Sequence, residues 1–219
     1  MKITFYGVRG SVAAPGKMSL KYGGNTPCVY IHASSDFHLI LDAGTGIIAL
    51  GEKLVHDSKP IYLLLSHNHW DHTGGLLTLR KELKKRNPNA LKRIHVGKGI
   101  FSKRVNSENT ILKTKKVLEA DNVEFIVYSD SQELFPGVWI TGPIKRIHNE
   151  RNWSGNGKIE TDSGTIEDTI PEDQSLVIDT KDGFVLISGC GHAGLINTLE
   201  HITTNINDEK VFTIIGGFH

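Results

Sequence analysis

The sequence predicts a mixed α/β class on three observations. Short β-branched and aromatic runs recur along the chain, segments of helical period sit between them, and glycine, proline and asparagine mark the joints. Lys2–Val8 alternates as a strand, and Arg9–Pro27 is a long loop containing glycine and proline. Cys28–His32 and His38–Leu41 are short strands around the turn Ala33-Ser34-Ser35-Asp36, and Ile47–His56 is a helix. Ile61–Leu65 is a continuous apolar run between Pro60 and Ser66, which predicts a strand buried on both faces. Thr73–Arg86 reads as one helix ended by Asn87-Pro88. Arg93–Val96, Val123–Tyr128 and Val138–Thr141 are strands. Leu176–Asp179 and Phe184–Ile187 form a hairpin across Thr180-Lys181-Asp182-Gly183, Ala193–Thr203 is helical, and Val211–Ile215 is a last strand. Periodicity alone leaves α/β and α+β both open.

A chain of 219 residues is long enough to bury a full core, and residues 1–219 are expected to form a single domain. Hydrophobic residues at 38% and charged residues at 22% exclude a disordered chain. No apolar run approaches the ~18 residues that span a bilayer, so a membrane protein is not expected. The strand-like N-terminus lacks the apolar core of a secretory signal. Two cysteines, Cys28 and Cys190, make no disulfide framework, so a cytoplasmic location is expected. The net charge of +1 hides an asymmetry: Arg80–Lys116 holds 13 Lys/Arg against Glu82 and Glu108, a local charge of +11 that leaves −10 for the remainder. Such a block is either a solvated helix face or an attractor of anionic substrates.

The densest chemical signal is His67-Asn68-His69-Trp70-Asp71-His72, directly after the buried strand and Ser66. On a turn, His67 and His69 can point to one side while Asp71 and His72 face a second point nearby. Imidazole and carboxylate donors suit Zn, Fe or Mn. Two such ions ~3.5–4 Å apart can clamp an attacking and a leaving oxygen. Three histidines and an aspartate after a buried strand would be costly without a metal.

The pattern His67-x-His69-x-Asp71-His72 resembles the signature of the metallo-β-lactamase superfamily, and Leu41-Asp42-Ala43-Gly44-Thr45-Gly46 looks like that superfamily's Asp-Ala-Gly element. The resemblance implies a four-layer αββα sandwich with a binuclear site at one edge. It implies His67, His69 and a later histidine on one metal, and Asp71, His72 and another later histidine on the second, with a Cys or Asp completing or bridging the pair. His219, in Gly216-Gly217-Phe218-His219, matches the family's last ligand. Because the chain ends on that residue, either metal binding ties it down, or the terminal carboxylate itself reaches the metal, or the ligand is weak. In Ser188-Gly189-Cys190-Gly191-His192, either Cys190 or His192, or both, can be the donor, and His148 can complete the first metal set.

Two finer resemblances divide the chain. Gly7-Val8-Arg9-Gly10-Ser11-Val12 and Tyr22-Gly23-Gly24-Asn25-Thr26-Pro27-Cys28 look like the cyclic-nucleotide phosphodiesterase branch. Leu134–Pro143, Asn152-Trp153-Ser154-Gly155, Pro171–Asp179 and Gly189–Gly194 look like the subgroup similar to dihydropterin ribofuranosyl-aminobenzene phosphate synthases. The two meet near His67–His72, as in a natural recombinant, a reconstruction or a chimera.

The resemblance implies two divalent ions, with zinc first and iron or manganese as alternatives, and hydrolysis by a metal-activated hydroxide. Asp71 would orient that nucleophile and take its proton, with His148 or His192 as acid if not a ligand. The expected substrate is a small phosphate-bearing anion, a phosphodiester such as a cyclic nucleotide or cyclic phosphate. The alternatives are a lactone, thioester or β-lactam in the same site, a metal-binding or redox module with little hydrolytic activity, and a pterin-pathway enzyme. Nucleic acid is left open, no membrane partner is expected, and a homodimer is allowed. His32, His38, His56, His95 and His201 lack ligand neighbours in sequence and read as structural or surface residues. Gly23-Gly24-Asn25-Thr26 reads either as a loop shaping the site or as a plain turn, and Lys145-Arg146 as a phosphate holder or a surface pair.

Overall fold

Alternating and continuous apolar runs form strands in the computed structural model, which describes residues 1–218. The chain divides into two compact units, Met1–His95 with Thr110–Ile126 and Val96–Asn109 with Val127–His219.

The first unit is built on a six-stranded sheet in the order β1-β2-β3-β4-β5-β6. Its strands are β1 (Lys2–Gly7), β2 (Cys28–His32), β3 (His38–Leu41), β4 (Ile61–Leu65), β5 (Arg93–Gly97) and β6 (Glu124–Tyr128). β1, β2 and β3 pair antiparallel, whereas β3 and β4 run parallel. The core runs through β3 and β4, where only Tyr62 is not fully buried. Helix α1 (Gly46–Leu54) buries Ile47, Leu50, Gly51 and Leu54, a spacing that puts one apolar stripe inward.

The single helix expected over Thr73–Arg86 is two: α2 (Trp70–Thr73) and α3 (Leu76–Arg86). The break falls at Gly74-Gly75. A Cβ on Gly75 would stand 2.3 Å from the Ile47 side chain and 2.5 Å from the Gly44 carbonyl, so tertiary packing overrides helical propensity there. α3 stops before Pro88 as expected. Helix α4 (Thr110–Ala120), which overlaps the end of the basic block, was not expected; it buries Ile111, Thr114 and Leu118.

The second unit carries a five-stranded sheet in the order β13-β12-β11-β8-β7 and a two-stranded ribbon. The sheet strands are β7 (Gln132–Phe135), β8 (Val138–Ile140), β11 (Ser175–Ile178), β12 (Phe184–Ser188) and β13 (Val211–Gly216); β9 (Lys158–Thr161) and β10 (Gly164–Glu167) form the ribbon. β11 and β12 are buried throughout and make the expected antiparallel hairpin. Helix α5 (Leu195–Asn205) places Ile202 among Val177, Phe184 and Leu186.

His95 supplies a pH dependence of the first unit. It is 6% exposed, stacks on Tyr62 at 6.0 Å, and is held down to about 4, chiefly by burial with Arg93 adding. The unfolded chain takes up this proton near 6.5, before the folded one does. Stability is therefore full above 6.5 and falls as pH drops toward 4, by up to about 3 kcal/mol from this residue. Denaturant melts of wild type and His95→Phe at pH 7 and 4.5 should show a smaller acid loss in the variant. Equal losses would exclude His95 as the cause.

Candidate metal centre

The buried strand β4 delivers Ser66 and His67 at its end, both fully buried. Its neighbour β3 delivers Asp42, also buried, with an unusual φ of 65°. One Asp42 oxygen accepts the Ser66 backbone N–H at 2.7 Å, and the Ser66 hydroxyl lies 2.8–2.9 Å from both. The other oxygen lies 2.6 Å from His72 Nδ1. An ionised carboxylate only accepts, so Nδ1 carries the proton and the ring's lone pair sits on Nε2. His67 Nδ1 stands 2.9 Å from the Ser66 hydroxyl, which holds the ring in place.

The single turn of α2 turns Asp71 and His72 inward, and the backbone beneath it is locked to the Asp42-Ala43-Gly44 segment. The Ala43 N–H donates to the His72 carbonyl at 2.8 Å, and the Gly75 N–H donates to the Ala43 carbonyl at 2.8 Å. A Cβ on Gly44 would stand 2.0 Å from the Asp71 carbonyl, so only glycine allows this approach. The ring centroids of His67 and His69 are 4.5 Å apart, and those of His67 and His72 are 4.2 Å apart. His72 Nε2 stands 3.6 Å from Asp71 Oδ2. All four residues read from the sequence thus converge within the first unit. Three imidazoles, one of them oriented through Nδ1, beside a carboxylate make a donor set that fits a divalent ion of the Zn, Fe or Mn kind.

The N-terminal motifs serve this loop. Gly7 ends β1 at a bulge, and the Val8 and Arg9 N–H groups bond the Asn25 carbonyl at 3.1 and 3.0 Å. Ser11, with φ of 66°, then donates its N–H to Asp71 Oδ2 at 2.8 Å. The Gly23–Thr26 segment clamps the Asp-Ala-Gly turn: Thr26 and Thr45 exchange N–H to hydroxyl bonds at 2.9 and 2.7 Å, and the Gly44 N–H donates to the Pro27 carbonyl. Cys28 is fully buried, and burial pushes its thiol far above the usual range, with Asp42 adding to the effect, so it is an inert core residue.

In the second unit His192 is 3% exposed, and its Nδ1 donates to the Asn152 carbonyl at 2.7 Å. The loop carrying it is held by Asp173, which accepts the Ala193 N–H at 2.7 Å, and by Gly191 and Gly194, both at positive φ. Glu150 caps α5 by accepting the Ile196 and Asn197 N–H groups. Cys190 is half-buried and stands two residues from His192. His148 is exposed: its ring engages the Glu200 carboxylate, and its backbone N–H donates to Asn197 Oδ1. His219 lies outside the described residues. Of the Lys145-Arg146 pair, Arg146 donates to the Thr169 and Ile170 carbonyls and lies 5.6 Å from the Trp153 ring centroid.

Asp42, Ser66, Ser11 and Asn152, which the ligand pattern did not single out, are hydrogen-bonded to His72, His67, Asp71 and His192 respectively. Asp42 and Ser11 stood in quoted motifs. Asn152 acts through a backbone carbonyl, which has no side-chain signature.

The family model described as Metallo-beta-lactamase superfamily matches residues 22–199. A 7,8-dihydropterin-6-methyl-4-(beta-D-ribofuranosyl)-aminobenzene-5'-phosphate synthase of Methanocaldococcus jannaschii is 31% identical over 168 residues, 72% of this chain. The chain spans 55% of that relative's length. An uncharacterized protein of the same organism is 23% identical over 185 residues, 83% of this chain and 67% of the relative. Among solved structures, a metal-dependent hydrolase of the beta-lactamase superfamily aligns with a TM-score of 0.68 at 22% identity, over 99% of this chain and 76% of its own. An N-acyl homoserine lactone hydrolase aligns with a TM-score of 0.54 at 15% identity, over 99% and 92%. Among the described residues no helix is long and apolar enough to cross a membrane.

Proposed function

The chain belongs to the metallo-beta-lactamase superfamily, and from that premise we propose that it is a metal-dependent hydrolase of a small phosphate-bearing substrate, with a phosphodiester as the favoured bond. The observation that carries the reading is the buried Asp42–Ser66–His72 network, which turns the lone pair of a buried imidazole toward Asp71.

His67, His69, Asp71 and His72 would hold metal, in a two-ion arrangement of the superfamily kind with zinc favoured. His192 is the preferred donor from the later part of the chain because its ring is already oriented through Nδ1. Cys190 stays a candidate beside it. His148 would have to leave Glu200 to serve. When bound, a divalent ion lowers the pKa of its water from 15.7 toward ~7 and so supplies a nucleophile at neutral pH. The chain's own share is orientation and proton handling. Asp42 fixes the His72 ring, and Ser11 fixes Asp71 Oδ2. The remaining lone pairs of the Asp71 carboxylate are the place to hold the proton released from water. The phosphodiester preference rests on the Gly7–Ser11 and Tyr22–Cys28 resemblance and on the basic block. The M. jannaschii synthase favours a second reading, a pterin- or ribose-linked phosphate substrate in the same site.

Elemental analysis of the wild type and of His67→Ala, with parallel turnover assays on a chromogenic phosphodiester and on a lactone, tests this. About two ions per chain, phosphodiester turnover, and loss of both in the variant are expected. Turnover of the lactone alone would sink the phosphodiester preference, and a metal-free, inactive wild type would sink the hydrolase.

A further inference from the structure

The basic block is only partly explained by a role near the histidine loop, because several of its cations line a separate cavity of about 730 Å³. That cavity opens at the start of β4, lined by Pro60, Ile61 and Tyr62, whereas the histidine loop follows the end of the same strand. Its charged lining is Arg80, Lys84, Lys92 and Arg93 against Asp121 and Glu124. The excess is positive.

These cations differ in what they are free to do. Arg80 is 8% exposed and committed: Nε bonds Asp121 at 2.6 Å, Nη1 the Pro88 carbonyl at 2.7 Å, and Nη2 the Asp121 carbonyl at 2.9 Å. It holds the rim together. The Ile61 N–H to Ala90 carbonyl and Glu124 N–H to Lys92 carbonyl bonds, at 2.9 and 2.8 Å, stitch the walls. The cavity is thus formed before any ligand arrives. Lys84 holds Asp121 through an ammonium whose side chain is 63% exposed, and the Arg93–Glu124 pair is exposed on both sides. Such surface pairs are worth little and exchange readily for a stronger anion. Lys92 is exposed and has no ion-pair partner among the described residues. Lys84, Lys92 and Arg93 thus share the lining with Pro60, Ile61, Tyr62 and Leu91, in a volume typical of small-molecule sites.

We infer that this cavity is a second binding site, away from the metal centre, for a small phosphate-bearing molecule. Lys84, Lys92 and Arg93 would hold the phosphate by charge-assisted hydrogen bonds, and Tyr62 would line the remainder. The inference goes beyond the hydrolytic reading and does not depend on it.

Calorimetric titration of the full chain with pyrophosphate tests the proposal, using wild type, Lys92→Glu, Lys92→Gln and His67→Ala. Saturable binding is expected in wild type and His67→Ala, weakened about tenfold by Lys92→Glu and less by Lys92→Gln, and weakened by salt. Lys92 is exposed, so thermal melts of both of its variants should match wild type. Absence of saturable binding at millimolar pyrophosphate overturns the proposal. So does binding lost in His67→Ala but unchanged in Lys92→Glu, which would place the anion at the histidine loop. Binding of a duplex oligonucleotide but not of pyrophosphate also overturns it, in favour of a nucleic-acid surface.

Discussion

Arg104→Met is expected to cost about 3–5 kcal/mol of folding stability, the usual penalty for removing one partner of a buried ion pair. Arg104 is 7% exposed, and every arm of its guanidinium is used. Nη2 donates to both Glu172 oxygens at 2.8 Å, Nε to Asp168 at 3.0 Å, and Nη1 to the Ile100 and Ser102 carbonyls at 3.0 Å. These bonds pin the loop after β5 to the segment before β11. Glu172 has no exposed surface, and burial already pushes its carboxyl upward while Arg104 opposes the shift. Without the arginine, Glu172 must either stay charged in a buried site or take up a proton. Arg104→Lys should rescue little, because one ammonium cannot reproduce a planar fork. The double variant Arg104→Met/Glu172→Gln should recover part of the loss, because the stranded charge is gone. Urea unfolding of the three variants checks this. A loss under about 1 kcal/mol for Arg104→Met would show that the network is not a structural keystone.

Asp42→Asn is expected to weaken metal binding 10–100-fold, the usual scale for removing the group that orients a ligand histidine. Asparagine is the informative replacement because it tolerates the φ of 65°, so backbone strain is not added. What changes is the acceptor count. Asp42 serves the Ser66 N–H, the Ser66 hydroxyl and His72 Nδ1 with two oxygens. An amide has one oxygen, and its NH₂ group would meet either His72 Nδ1–H or a Ser66 donor. His72 must then turn or change tautomer, and Nε2 loses its aim. Competition with a chelator of known affinity measures the effect. Unchanged affinity would remove Asp42 from the positioning set.

The parts of this molecule legible in sequence are those encoded over a few consecutive residues. Ile61–Leu65 is a strand as read, because five apolar residues between Pro60 and Ser66 leave little choice. The His67–His72 cluster is legible for the same reason, and its four donors converge. What was missed depends on distant partners. The break at Gly74-Gly75 is decided by Ala43, Gly44 and Ile47, not by local propensity. Helix α4 was hidden by its lysines, because only Ile111, Thr114 and Leu118 face inward. The β9–β10 ribbon is almost wholly exposed, so it carries no alternation of burial to read. The role of Asp42 required knowing that β3 lies beside β4, which no local pattern states.

The Ser11 N–H on Asp71 spans 60 residues of sequence. That bond stands on the pairing of β1 with β2 and on the Asn25 carbonyl, which accepts the Val8 and Arg9 N–H groups. Contacts of such separation carry the loop-closure cost of long-range folding. The carboxylate of Asp71 is therefore oriented by the first dozen residues, so changes at the amino terminus act on it even where they leave the core intact.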